Sequence, residues 1–181
     1  MPSRLRYSAA MVQALPDDGN RYETVHGELL VSPTPRLAHQ VVLQRLALAV
    51  QEYLKGAGLE GMFNVDADIS WGPEILVQPD LFVADPMELR RAQSWSDVKT
   101  LHLVVEILSP SSMRADRVLK RRLYQEQRIP TYWVVDVDNA HVEIWTPDEL
   151  FPRTERERLV WKHPAMSSDC VVSLAELFRA W

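Results

Sequence analysis

Leu76-Val77-Gln78-Pro79-Asp80-Leu81-Phe82-Val83 and Leu101-His102-Leu103-Val104-Val105-Glu106-Ile107-Leu108 each set one carboxylate inside an apolar run. The first run lies within Ile75 to Asp85, and both segments read as buried strands. An ionised carboxylate taken out of water is costly unless it is hydrogen-bonded, paired or bound to a cation, so packing alone explains neither Asp80 nor Glu106. On neighbouring strands the two would make an oxygen-only site for a hard cation. Magnesium suits such a donor set, because it takes one or two carboxylates and keeps waters that a substrate phosphate can replace.

The residues after Glu106 supply a third element. Ser109-Pro110-Ser111-Ser112 marks a strand exit and a helix start near Met113, with Ser111 or Ser112 as the N-cap. Asp116, Lys120 and Tyr124 follow at i, i+4 and i+8, so they share one helix face and Asp116 can pair with Lys120. A strand ending at Glu106 and a helix beginning a few residues later would bring that face beside the carboxylates.

Further out, the pattern is that of an α/β sandwich. Tyr7 to Leu15 reads as a short helix closed by the turn cluster Pro16-Asp17-Asp18-Gly19, and Arg21 to Val25 with Glu28 to Ser32 reads as a hairpin around His26-Gly27. Leu37 to Leu54 has apolar residues at helical spacing and ends at Gly56 and Gly58. Strands are expected over Met62 to Ser70 and Ile75 to Ala84, then a loose segment from Pro86 to Thr100. Tyr132 to Val137 and His141 to Thr146 read as a second hairpin around Asp138-Asn139. An exposed loop over Pro147 to Glu157, an edge strand over Arg158 to His163 and a terminal helix over Ser173 to Trp181 complete the reading.

Asp80 in a Pro-Asp pair, Glu106 in Val-Glu-Ile-Leu-Ser-Pro-Ser, then Asp116, Lys120, Tyr124 and Tyr132-Trp133-Val134-Val135-Asp136 form an ordered set. With Tyr22-Glu23-Thr24-Val25-His26-Gly27-Glu28-Leu29, Ser32-Pro33 and His39 upstream, this set resembles the Uma-type restriction endonuclease family of the PD-(D/E)XK nuclease superfamily. The likeness runs from about Tyr22 to about Trp145. It implies an α/β fold with a restriction-endonuclease-like mixed central sheet flanked by helices and an additional N-terminal β-hairpin, expected here as a single domain over residues 1–181. The superfamily's usual lysine, two residues after the glutamate, is replaced by Leu108. The resemblance implies that its function has moved to Lys120 on the following helix.

Composition narrows the partners. The chain has 181 residues, a net charge of −5 and a single cysteine, Cys170, which rules out an intrachain disulfide and fits a reducing compartment. The polar start Met1 to Tyr7 does not look like a signal peptide, and no apolar run approaches a membrane span, so a cytoplasmic location is expected. The acidic balance argues against a general nucleic-acid coat protein. Charge is local, however: Pro110 to Pro130 carries six bases against two acids. Arg114, Arg117, Arg121 and Arg122 are candidates for contacts to DNA phosphates.

Other residues have blander alternatives. Glu28 is by default a surface residue, but the resemblance and the need of a hard cation for more oxygens mark it as a candidate third carboxylate. His39 is either a half-buried hydrogen-bonding residue or a catalytic or phosphate-contacting one. Asp66 and Asp68 read as a solvent-facing pair, and Asp136 as a local cap. The reaction expected is hydrolysis of DNA phosphodiester bonds with Mg2+, for which Mn2+ can substitute. Asp80, Glu106 and the Ile107 carbonyl would be ligands, Lys120 would orient water or neutralise the transition state, and Asp116 and Tyr124 would support it. A homodimer would suit the cutting of both strands. The competing readings are a degenerate nuclease fold serving as a DNA-binding or protein-interaction scaffold, and a carboxylate-pair glycosidase, for which no sugar-stacking aromatic pattern is seen.

Overall fold

Alternation along the strands sorts the side chains into layers. The computed structural model describes residues 5–59 and 63–180. Helix α1 (Ala9–Gln13) leads into the hairpin β1 (Arg21–Val25) and β2 (Glu28–Ser32), followed by the long helix α2 (Leu37–Lys55). Strands β3 (Phe63–Asn64), β4 (Ile69–Gly72), β5 (Ile75–Val77) and β6 (Leu81–Ala84) precede α3 (Pro86–Leu89), a 3-10 turn at Trp95–Asp97 and β7 (Leu101–Ile107). A helix over residues 113–126 ends in α4 (Arg121–Glu126). Then come β8 (Tyr132–Asp136), β9 (His141–Trp145), β10 (Arg153–Glu155), β11 (Arg158–Trp161), β12 (Cys170–Ser173) and α5 (Leu174–Leu177). The expected strand start at Met62 and helix end at Trp181 lie outside the described residues, as do Met1 to Arg4.

The central sheet has six strands in the order β10-β9-β8-β7-β6-β3. Among the described residues only β7 and β8 run parallel, which makes the sheet mixed, and the helix over 113–126 is the crossover that a parallel pair requires. One face of the sheet, with Leu81, Val83, Leu103, Val105, Ile107, Trp133 and Val135, packs on Val42, Leu46, Val50 and Leu54 of α2 and on residues of β11, β12 and α5. The opposite face, with Phe82, Val104, Tyr132 and Val134, packs on Leu123 and Tyr124 of the crossover helix and on Val25, Ile69 and Val77 of a second sheet ordered β2-β1-β5-β4. Period-two alternation then directs Glu106, between Val105 and Ile107, onto this second face.

The N-terminal hairpin turns at His26 (φ 50°) and Gly27 (φ 80°). Positive φ at both central residues defines the tight turn whose twist matches the flanking strands, so the pairing Val25↔Glu28 and Glu23↔Leu30 is set by the turn.

The segment Ile75 to Asp85 is not one strand. It breaks at Gln78-Pro79-Asp80, so that β5 joins the hairpin sheet and β6 the central sheet. Pro79 has no N–H for a ladder, and the Gln78 N–H is taken by Glu23 Oε1 at 2.7 Å. The expected strand Met62 to Ser70 is likewise interrupted: β3 and β4 are separated by a bend where Asp66 has a φ of 51°. The segment Pro86 to Thr100 is more ordered than its composition suggests. Asp85 accepts from the N–H groups of Met87 and Glu88 to start α3, and Ser94 and Asp97 form a capping box. Part of the expected loop Pro147 to Glu157 is the edge strand β10 on β9, whose Arg-Thr-Glu sequence carries no apolar alternation. The edge strand at Arg158 pairs with β12, a strand absent from the sequence reading.

Candidate active site

Where β6 begins and β7 ends, the protein forms a small, partly open cavity of about 30 Å³ lined by Arg21, Glu23, His39, Asp80, Glu106, Ile107, Asp116 and Lys120 together with Ser32, Pro33, Pro35, Ser109 and Ser112. The break at Pro79 releases Asp80 from the ladder just ahead of β6. Its Oδ2 accepts the Ile107 N–H at 2.7 Å and lies 3.1 Å from His39 Nε2, and its Oδ1 accepts from Arg21 Nη1 at 2.9 Å. Arg21 also donates to the Gln78 carbonyl at 3.2 Å and pairs with Asp66. Burial pushes the Asp80 carboxyl up, but the His39 hydrogen bond and charge, the Arg21 charge and the Ile107 N–H outweigh it and hold its pKa at about 2.

Glu106 faces the crossover helix. Its Oε1 accepts from Lys120 Nζ at 3.0 Å and from the Tyr124 hydroxyl at 2.8 Å. Lys120 Nζ is 2.8 Å from Glu23 Oε2 and 3.5 Å from Asp116 Oδ1, an i,i+4 pair close enough for charge attraction but without a hydrogen bond. The expected common face of Asp116, Lys120 and Tyr124 is therefore present, and all three side chains are buried. Burial opposes the Lys120 charge, yet Glu106, Glu23 and Asp116 raise its pKa well above the ordinary lysine range. Burial raises Glu106 well above the usual carboxylate range; Lys120 opposes this, and Asp116, Asp80 and Glu23 add to it. Burial brings Asp116 to about 6 against the opposing charge of Lys120.

Two members of the cluster were missed in the sequence, Glu23 and Arg21. Glu28, the residue marked there as a third carboxylate, is exposed and does not line the cavity, whereas Glu23 is 1% exposed and does. Directly paired residues of an antiparallel hairpin share a face, so Val25, Glu28, Glu23 and Leu30 all point the same way. Glu28 sits opposite Val25, two residues nearer the turn than Glu23, a displacement of about 7 Å. The site lies at the open end of the hairpin, where Arg21 pairs with Ser32. Position along the hairpin, not facing, separates the two glutamates. Asp66 contacts Arg21 from outside the cavity, and Asp68 accepts from Gln13 and Gln78.

The four candidate DNA-contacting arginines divide in two. Arg114 and Arg122 are exposed. Arg117 instead donates through Nε to Glu143 at 2.7 Å and through Nη2 to Asp136 at 2.9 Å, and Arg121 donates to the Arg117 carbonyl and Gln125 while stacking over Trp145 at 4.9 Å. Asp136 also accepts from Asn139, as expected of a local cap. Removal of Arg117 leaves two carboxylates, 3% and 9% exposed, without their cation. Arg117→Ala is therefore expected to lower stability by about 2 kcal/mol, or about 4–8 °C in Tm for a chain of this size, a loss that thermal melting reads directly.

The donor set fits a hard cation. Four buried carboxyl groups, Glu23, Asp80, Glu106 and Asp116, meet two cations, Lys120 and Arg21, the latter shared with Asp66. Both hydrogen bonds to Glu106 fall on Oε1. Among the described residues no three His, Cys, Asp or Glu side chains form a ready-made metal cage. The arrangement has instead the chemistry of an ion that uses one or two carboxylates and fills its remaining positions with water, backbone oxygen and substrate.

Comparison with known proteins adds to this geometry. The family model Uma2, described as "Putative restriction endonuclease", matches residues 9–166. A crystal structure of a putative nuclease belonging to DUF820 from Anabaena variabilis ATCC 29413 is similar with a TM-score of 0.77 and 18% identity, over 95% of this chain and 97% of that chain. At that identity the likeness speaks for the fold, a restriction-endonuclease-like one with the added β1-β2 hairpin. No curated protein matches the chain. No described helix is long and apolar enough to cross a membrane.

Proposed function

The chain belongs to the Uma2 family, whose description is "Putative restriction endonuclease", and from that premise we propose that it is a divalent-metal-dependent endonuclease hydrolysing DNA phosphodiester bonds at the Asp80–Glu106 cavity. One observation carries the proposal: four buried carboxyl groups, Glu23, Asp80, Glu106 and Asp116, gather at one cavity with Arg21 and Lys120, an oxygen-rich set that a hard divalent ion would suit. The fold alone would not carry it, because one fold hosts many functions and the site decides.

In this reading Asp80 and Glu106 hold magnesium, with the Ile107 backbone carbonyl as a further oxygen. When bound, the ion supplies Lewis-acid stabilisation of the charge that develops on the scissile phosphate. Lys120 presents a fixed ammonium at the cavity wall, where it orients the attacking water or neutralises the transition state. Its pairing with Glu23 and Asp116 keeps it charged and immobile, so that little reorganisation is needed as the reaction proceeds. Tyr124 fixes one oxygen of Glu106, and His39 and the Ile107 N–H fix Asp80. Arg114 and Arg122 on the exposed side of the crossover helix serve as phosphate contacts that carry no sequence information. Cutting of both strands would bring two such sites together, and a twofold homodimer is part of the proposal.

The contact of Lys120 with Glu106 favours an enzyme over an inert scaffold, because an ammonium delivered from the helix reaches the carboxylate that the absent strand lysine would have served. Metal-dependent nicking of plasmid DNA, abolished by chelation, is the test that separates the two.

A further inference from the structure

The helix that carries Asp116 and Lys120 is not α-helical where it meets the site. Residues Ala115–Lys120 form a π-helical turn between α-helical residues 113–114 and α4. The Asp116 carbonyl, which in an α-helix would accept from the Lys120 N–H, accepts instead from the Arg121 N–H. Such turns are rare and occur mostly as single turns inside α-helices, frequently at functional sites. Here the same Asp116 carbonyl accepts a second hydrogen bond, from the Tyr132 hydroxyl at 3.0 Å.

Tyr132 is well placed for that role. It is the first residue of β8, 2% exposed, on the sheet face that meets the crossover helix. Its ring stands edge-on to Tyr124 with centroids 4.8 Å apart. Its strand pairs with β7 in a register that puts Val104 opposite Tyr132 and Glu106 opposite Val134, so Tyr132 and Glu106 belong to one rigid pair of strands. The hydroxyl thus ties the helix backbone to the same framework that positions Glu106.

We propose that Tyr132 is a positioning residue: its hydroxyl, by holding the Asp116 carbonyl, maintains the π-helical turn that sets Lys120 against Glu106. Each α-helical residue rotates the chain by about 100°, so replacing the wide turn by a regular ladder would swing Lys120 and Tyr124 by about that angle relative to the start of the helix. The ammonium would then leave the carboxylates it now touches. The catalytic half of this inference rests on the proposed nuclease reading; the structural half does not.

The test compares Tyr132→Phe with Tyr124→Phe, both of which keep a buried ring, in the full chain with melting temperatures confirming the fold. Crystal structures are the primary readout. For Tyr132→Phe the expected result is a regular ladder through residues 113–126 and loss of the Lys120–Glu106 contact; for Tyr124→Phe, whose hydroxyl goes to Glu106, the π-helical turn is expected to remain. With magnesium and plasmid DNA, Tyr132→Phe should lower kcat at least tenfold with KM and calorimetric magnesium affinity within about twofold of the parent, a split that general loss of structure does not produce. A π-helical turn and a Lys120–Glu106 contact that survive in Tyr132→Phe would overturn the inference, as would loss of the turn in Tyr124→Phe. If the parent cleaves no DNA, the nuclease reading fails while the crystal structures still decide the role of Tyr132.

Discussion

Lys120→Ala is expected to lower kcat for phosphodiester cleavage by about 10²–10³-fold, the range found when one preorganised electrostatic contact to a transition state is removed. KM should change little, because the side chain is 3% exposed and offers little to the ground-state binding of a long polyanion. Magnesium binding should persist, since the variant removes a cation from beside the carboxylates and so leaves the cluster more negative. Lys120→Arg should restore little activity. The ammonium meets Glu23, Glu106 and Asp116 within 2.8–3.5 Å, and a planar fork cannot reproduce that compact arrangement inside so small a cavity. Steady-state kinetics on a defined duplex, with calorimetry for the metal, reads all of these outcomes. Activity of Lys120→Ala equal to the parent's would end the assignment.

The second large effect concerns the metal. Asp80→Asn combined with Glu106→Gln removes two of the four buried carboxyl groups of the cluster. Neutral amides are poor ligands for magnesium beside carboxylates, so calorimetric affinity for Mg2+ or Mn2+ should fall by about 100-fold or more. Melting temperatures check that the variant folds: at position 106 one amide oxygen accepts from both Lys120 and Tyr124, whereas at position 80 Ile107 and Arg21 donate to different carboxylate oxygens, so the amide keeps one of these bonds while Arg21 retains Asp66 and the Gln78 carbonyl. Unchanged metal affinity in a folded double variant would remove Asp80 and Glu106 from the ligand set.

Much of this site was legible because buried charge is rare and strands expose it. Asp80 and Glu106 stood out as single carboxylates in apolar runs, and the spacing of Asp116, Lys120 and Tyr124 placed them on one helix face, where the structure also has them. The N-terminal hairpin was likewise readable, from His26-Gly27, whereas the mixed sheet was expected only from the family resemblance. What escaped depends on position along an element or on a partner distant in sequence. Glu23 and Glu28 share a face of the hairpin, and no local pattern tells which one reaches the cavity. Arg117 resembles any solvent-facing base until Asp136 and Glu143 are brought beneath it from two other strands. The π-helical turn hangs on a hydroxyl 16 residues away, beyond the reach of periodicity. Strand β10 is short, polar and on an edge, so it has no apolar signature at all.

The measurement that bears most directly on the central claim is cleavage of supercoiled plasmid and single-stranded DNA by the purified parent chain, alongside the Asp80→Asn, Glu106→Gln double variant as a control for contaminating nuclease. The account predicts nicking or degradation by the parent with Mg2+ or Mn2+, its arrest by a chelator and its recovery on adding metal back, with none by the double variant. Folded parent protein that leaves both DNA forms intact with either metal, or cleavage that persists under chelation or in the double variant, would contradict it.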